Sequence, residues 1–235
     1  MNKCVFIYSD EGTDKAGIAS IEENCRKRLK LPYRYIKSED ILDGVLQGKN
    51  IFVMPGGADL PYCKKLNGIG NKKIRKFIED GGFYIGICAG AYYACRRINF
   101  KGKDYDVSGE RELGLFEGTA EGSLPFLTDG NYFSDNGVES KAMISLKFKE
   151  KLSEEYFYYH GGPVFIPDSI TNHKYLTYIQ KNRFFFVYTD LRISPFEGGR
   201  GDVNNQRVIK SNFINKPFFK VVQLFFGQPL FLFNH

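Results

Sequence analysis

Gly82-Phe83-Tyr84-Ile85-Gly86-Ile87-Cys88-Ala89-Gly90-Ala91-Tyr92-Tyr93-Ala94-Cys95 is the stretch that decides how this chain is read. An apolar run ends at Gly86-Ile87, a cysteine follows, and small residues then open a helix. That order places Cys88 on a sharp strand-to-helix turn, where α/β enzymes carry a nucleophile. The free N–H groups of the first helical turn, and the positive end of its dipole, face such a bend. A thiol there is expected to ionise more easily than a free cysteine, whose pKa is about 8.5.

Working outward, residues 1–97 alternate strand-like and helix-like segments. Cys4–Tyr8 reads as a first strand, residues 14–30 as a helix with a basic end, and Tyr33–Ile36 as a second strand. Ser38 with Glu39 and Asp40 reads as an N-cap opening a short helix to Leu46. Asn50–Met54 is a third strand entering Pro55-Gly56-Gly57-Ala58-Asp59, and residues 70–80 are a helix ending at Gly81-Gly82. Such alternation implies an α/β fold with a mostly parallel sheet covered by helices on both faces. Function then collects beyond the carboxyl ends of the strands, which brings the Gly56-Gly57 loop and Cys88 to one edge. Residues 101–165 switch to short segments, Tyr105–Gly109, Leu113–Gly118, Ser140–Phe148 and Tyr156–His160, expected as appended antiparallel strands.

Composition bounds the partners. Apolar residues make up 43% of the chain and charged residues 26%, as in a folded globular protein. The net charge of +6 is not spread evenly: residues 1–180 hold 25 basic and 24 acidic side chains, residues 181–235 hold 8 and 3. With no basic face of recognisable pattern, nucleic acid is not an expected partner. Pro217–Phe233 is apolar but broken by Lys220, Gln223, Gln228 and Pro229, so no membrane span is expected. The first strand is too short an apolar run for a signal peptide, which sets the expectation at a cytoplasmic protein with reduced thiols. Five cysteines without CxxC spacing predict no metal site and no cofactor.

A cysteine nucleophile needs donors for an oxyanion and a partner that takes its proton. The N–H groups of Ala89 and Gly57 are the natural donors, with glycine at Gly56 and Gly57 letting backbone approach a substrate. Taken singly, Gly56-Gly57 reads as a tight turn and Cys88 as a buried residue; on one sheet edge the two read as a site. Tyr92, on the helix after Cys88, and Glu110 with Arg111, in a charged hairpin, are further candidates for its rim. Of three histidines, His160, in Tyr158-Tyr159-His160-Gly161-Gly162-Pro163, is the first to check as a partner for Cys88.

Four ordered motifs carry a resemblance: Met54-Pro55-Gly56-Gly57-Ala58-Asp59, Gly86-Ile87-Cys88-Ala89-Gly90, Gly109-Glu110-Arg111-Glu112-Leu113-Gly114 and Tyr158-Tyr159-His160-Gly161-Gly162-Pro163. Over residues 1–180 the chain resembles the N-terminal domain of the larger biotin-protein ligases, a class I glutamine amidotransferase-like domain also found alone. The resemblance implies a flavodoxin-like doubly wound sheet, Cys88 as nucleophile, and Gly57 with Ala89 at the oxyanion hole. In true glutamine amidotransferases the cysteine works with a His and a Glu and releases ammonia through a thioester.

Two departures matter. Residues 181–235 contain no Gly-Pro-His-Pro-Glu-like segment, and the position of His160 is more usually Asn in the family. The catalytic His and Glu are therefore assigned to no residue here. The ligase pattern Gly-Arg-Gly-x-x-x-Arg-x-Trp is absent too, and the chain has no Trp. Half of the 22 phenylalanines follow residue 182, so 181–235 reads as a separate Phe-rich basic tail. A frameshift is one origin for it, and translating the other two frames beyond codon 175 tests that. The reading is an amidotransferase-like thiol hydrolase or amidase acting on a small amide or related carbonyl compound. The alternatives are a non-catalytic binding or regulatory module that keeps the pocket, and a thiol-based redox or stress protein.

Overall fold

The computed structural model describes residues 3–132, 138–148 and 154–168, with the backbone of short strands at 188–189, 207–210 and 230–233. In chain order the elements are β1 (Val5–Tyr8), α1 (Lys15–Glu23), β2 (Tyr33–Ile36), α2 (Ser38–Leu42), β3 (Ile51–Met54), α3 (Asp59–Leu66), α4 (Ile69–Glu79), β4 (Phe83–Ile87) and α5 (Ala89–Tyr93). They continue as β5 (Cys95–Lys101), β6 (Asp106–Glu110), β7 (Phe116–Gly122), β8 (Lys141–Phe148), β9 (Glu154–His160), β10 (Val164–Pro167), β11 (Tyr188–Thr189), β12 (Arg207–Lys210) and β13 (Leu230–Phe233).

β2, β1, β3 and β4 lie side by side in that order, every pair parallel, and β13 adds antiparallel to β4. β1, β3 and β4 are apolar at nearly every position and buried throughout, as strands covered on both faces must be. Alternate residues feed two cores. Val5, Ile7, Ile51, Val53, Ile85 and Ile87 pack with Ile21 and Cys25 on one side. Phe6, Tyr8, Phe52, Met54 and Tyr84 meet Ile41, Tyr62, Ile74, Phe77 and Tyr93 on the other. This is the expected α/β arrangement with a mostly parallel, helix-covered sheet.

Several local expectations need correction. The helix expected over 14–30 is α1 followed by a π-helical turn at Asn24–Leu29, and it stops where Lys30 turns left-handed at φ 52°. Ser38 is the first residue of α2, not its cap; its N–H and hydroxyl donate to Asp10 instead. Cys63 lies in α3, a helix between the third strand and residue 70 whose pattern Pro61 breaks up in the sequence. Cys95 opens β5, with Ile98 and Phe100 facing inward at period two. The appended region is mixed rather than purely antiparallel. In the sheet β10-β7-β5-β6 the β5–β7 pair is parallel, while β6 and β10 pair antiparallel. β8 and β9 pair antiparallel, with β12 parallel to β8.

Most of residues 181–235 lies outside the described residues, so the expected tail boundary and the frameshift idea lie outside them too. Among the described residues no helix is long and apolar enough to cross a membrane.

Candidate active site

Cys88 occupies the single residue between β4 and α5, at φ 48° and ψ −109°. A non-glycine residue seldom adopts a positive φ, and such strain marks a position fixed by its surroundings. The surroundings here are glycines. A Cβ at Gly86 would approach the Gly90 carbonyl oxygen to 2.5 Å, and one at Gly90 would overlap the Met54 carbonyl. Strand and helix can therefore close on each other only without side chains at those two places. Tyr84 donates its hydroxyl to the Gly90 carbonyl at 2.8 Å and locks the same joint.

The loop after β3 meets Cys88 from the neighbouring strand. Gly57 has φ 132°, and a Cβ there would overlap the Gly12 carbonyl, so this position is closed to other residues. Asp14 N–H donates to the Gly56 carbonyl at 2.9 Å and Ala58 N–H to the Gly12 carbonyl at 2.8 Å, joining the loops after β1 and β3. Tyr62, fully buried in α3, donates its hydroxyl among the Gly12, Pro55 and Gly56 carbonyls at 3.1–3.3 Å.

These loops shape a cavity of about 230 Å³ with Cys88 in its lining. Gly57, Ala58, Asp59, Leu60, Ala89 and Tyr92 border it from the sheet edge, and Ile98, Phe100, Tyr105 and Val107 from β5 and the β6 hairpin. The N–H groups of Ala89 and Gly57 are directed at the Cys88 sulfur, where each favours the thiolate. Burial outweighs them, and the carboxylates of Asp14 and Asp59 add to it, so the thiol is pushed up to about 11. This corrects the expectation of an easily ionised thiol. The reason is burial first, with the Asp14 and Asp59 carboxylates adding to it.

The structure brings together only part of the expected set. Cys88, Gly57, Ala89 and Tyr92 line the cavity. Gly56 backs onto the Cys88 Cβ instead of facing the cavity. Glu110 is exposed at the end of β6 and does not line it. Arg111 is buried one step behind the wall, its Nε donating to Asp59 Oδ2 at 2.5 Å. His160 ends β9 and is not among the lining residues; the link from its neighbourhood is Tyr92, whose hydroxyl donates to the Gly161 carbonyl at 3.2 Å. Among the described residues no lining group is a histidine, lysine or arginine.

Sequence reading missed Asp59 as a lining group, along with the wall of Ile98, Phe100, Tyr105 and Val107. The signal for the wall was present as inward alternation along 98, 100, 105 and 107, but only pairing of β5 with β6 turns it toward Cys88. Among the described residues no group of three or more His, Cys, Asp or Glu is arranged to hold a metal ion.

Comparison with known proteins agrees with the ordered motifs. An uncharacterized protein of Chlamydia muridarum (strain MoPn / Nigg) is 35% identical over 116 residues, covering 49% of this chain and 43% of that protein. The biotin–protein ligase of Schizosaccharomyces pombe (strain 972 / ATCC 24843) is 31% identical over 137 residues, 57% of this chain and 21% of the ligase. The chain thus matches less than half the length of each of these relatives. The family described as biotin-protein ligase, N terminal, matches residues 3–183, and the chain belongs to that family.

Proposed function

We propose that this chain is a class I amidotransferase-like protein on a flavodoxin-like sheet, with Cys88 as nucleophile toward the carbonyl of a small amide. The strand order β2-β1-β3-β4 supports the fold, since doubly wound sheets of that order place their sites beyond the carboxyl strand ends. The observation that carries the chemistry is the convergence of the Ala89 and Gly57 N–H groups on the Cys88 sulfur beside a cavity. Donors so placed receive the oxygen of a carbonyl under attack, each worth about 3 kcal/mol in the transition state.

In this reading the thiol loses its proton to solvent and the sulfur bonds to the carbonyl carbon. The carbonyl π pair moves onto oxygen, between the two N–H groups. Collapse expels the amine, which takes a proton from water, and water then hydrolyses the thioester. Tyr92 shapes the cavity, and Tyr62 holds the Gly57 loop in place.

The experiment is incubation with a panel of primary amides that includes glutamine, reading ammonia release and acylation of the Cys88 peptide by mass spectrometry. The expected result is acylation or ammonia release that disappears in Cys88→Ser. Neither signal with any amide overturns the nucleophile role.

A second reading has one observation in its favour: burial pushes the thiol up to about 11, and the Asp14 and Asp59 carboxylates add to it. A pocket of this kind serves a non-catalytic binding module. It predicts that the same amides bind equally well to Cys88→Ser.

A further inference from the structure

We propose that Asp59, held by Arg111, accepts a hydrogen bond from the N–H of the ligand, and that the ligand is a compact uncharged amide with an apolar body rather than glutamine. The inference rests on the reading of the Cys88 cavity as a carbonyl site.

Asp59 is the first residue of α3, one residue beyond the Gly57-Ala58 pair, and it lines the cavity beside Cys88. The same short loop therefore offers a donor, the Gly57 N–H, and an acceptor, the Asp59 carboxylate. An amide presents the complementary pair: a carbonyl oxygen that accepts and, on the adjacent nitrogen, N–H groups that donate.

Asp59 is equipped for this role by how it is held. Its Oδ2 takes the Arg111 Nε at 2.5 Å, and among the described residues Oδ1 accepts no hydrogen bond. Arg111 is fixed in turn by Nη1 donating to the Glu110 carbonyl at 2.9 Å, while its Nη2 is buried with no partner among the described residues. Both side chains are almost wholly withdrawn from solvent. A buried ion pair with an unsatisfied nitrogen is a poor way to fill space, because apolar residues of similar volume avoid the desolvation cost. What the pair supplies is a carboxylate in one orientation at the cavity edge.

The remaining lining sets the ligand class. Leu60, Tyr92, Ile98, Phe100, Tyr105 and Val107 form an apolar wall, and among the described residues no lining group is a cation. Asp59 and Asp14 both oppose negative charge at the sulfur. A carboxylate brought into the cavity meets the repulsion of Asp59 and no counter-cation in the described lining, and a buried charge without a counter-ion is costly. A neutral amide with an aliphatic or aromatic body meets its donors, its acceptor and its wall together.

The test compares alkylation of Cys88 by iodoacetamide and by iodoacetate, which differ in carrying an amide or a carboxylate. Rates are read on the Cys88 peptide by mass spectrometry and divided by those of the same chain unfolded in urea. The expected preference for iodoacetamide is about tenfold or more, the factor of one charge-assisted hydrogen bond. Asp59→Asn is expected to remove most of it. Isobutyramide slows the alkylation, whereas glutamine at equal concentration does not. Because Asp59→Asn leaves Arg111 without its partner, the double variant Asp59→Asn, Arg111→Met carries the same expectation if the single variant does not fold. A preference that survives both variants, or protection by glutamine equal to that by isobutyramide, overturns this inference and leaves the carbonyl site standing. Cys88 reacting in the folded chain as in the unfolded one, with no amide protecting it, overturns both.

Discussion

Arg111 Nε and Asp59 Oδ2 are 2.5 Å apart, joining the segment after β6 to the first turn of α3 out of reach of solvent. The contact spans 52 residues of chain and ties the appended sheet to the loop that borders Cys88. Glu112 reinforces the seam, its carboxylate accepting from Gly68 N–H at 2.6 Å and from Asn71 at 3.0 Å.

Removing one partner of such a pair leaves the other charge buried. Arg111→Met is therefore expected to lower stability by about 3–5 kcal/mol. Adding Asp59→Asn to Arg111→Met is expected to recover part of the loss. Urea unfolding of the two single variants and the double variant measures this, and additive losses would remove the coupling claimed here.

Gly57→Ala is expected to cost at least about 1–3 kcal/mol, since the backbone is at φ 132° and the new methyl would overlap the Gly12 carbonyl. The loop that carries the Gly57 N–H would shift with it. Chemical denaturation gives the cost, and Cys88 alkylation shows whether the site is disturbed.

Tyr62→Phe removes the hydroxyl shared by three loop carbonyls while keeping the ring against Tyr8 and Tyr93. Each of those carbonyls keeps a backbone N–H partner, so the expected loss is the net worth of one hydrogen bond, about 0.5–1.5 kcal/mol. Faster hydrogen exchange at Gly57 and Ala58 is the accompanying local signature, with α1 unaffected.

Burial raises the Cys88 thiol to about 11, above its value in the unfolded chain. The folded state thus holds this proton more tightly, and its contribution is complete below about pH 8.5 and falls away as pH rises toward 11. Cys63, also raised to about 11 by burial, acts in the same direction. Stability is expected to decline across that alkaline window, and Cys88→Ser to make the decline shallower. Urea midpoints from pH 7 to 11 supply the comparison.

The amino-acid sequence determined the sheet. Val5–Tyr8, Ile51–Met54 and Phe83–Ile87 are apolar runs too continuous for any but strands buried on both faces, and glycines at 57, 86 and 90 mark where backbones close on one another. It also placed Cys88 at the bend, because a change from apolar run to small residues is a local signal. What the tertiary structure alone decided was the environment of the thiol. Asp59 and Arg111 are 52 positions apart, and the wall of Ile98, Phe100, Tyr105 and Val107 comes from a different sheet. Such groups meet only through long-range packing, whereas a thiol's ionisation depends on the burial and charge around it. The local pattern therefore located the cysteine, and the folded surroundings reversed the sign of its expected pKa shift.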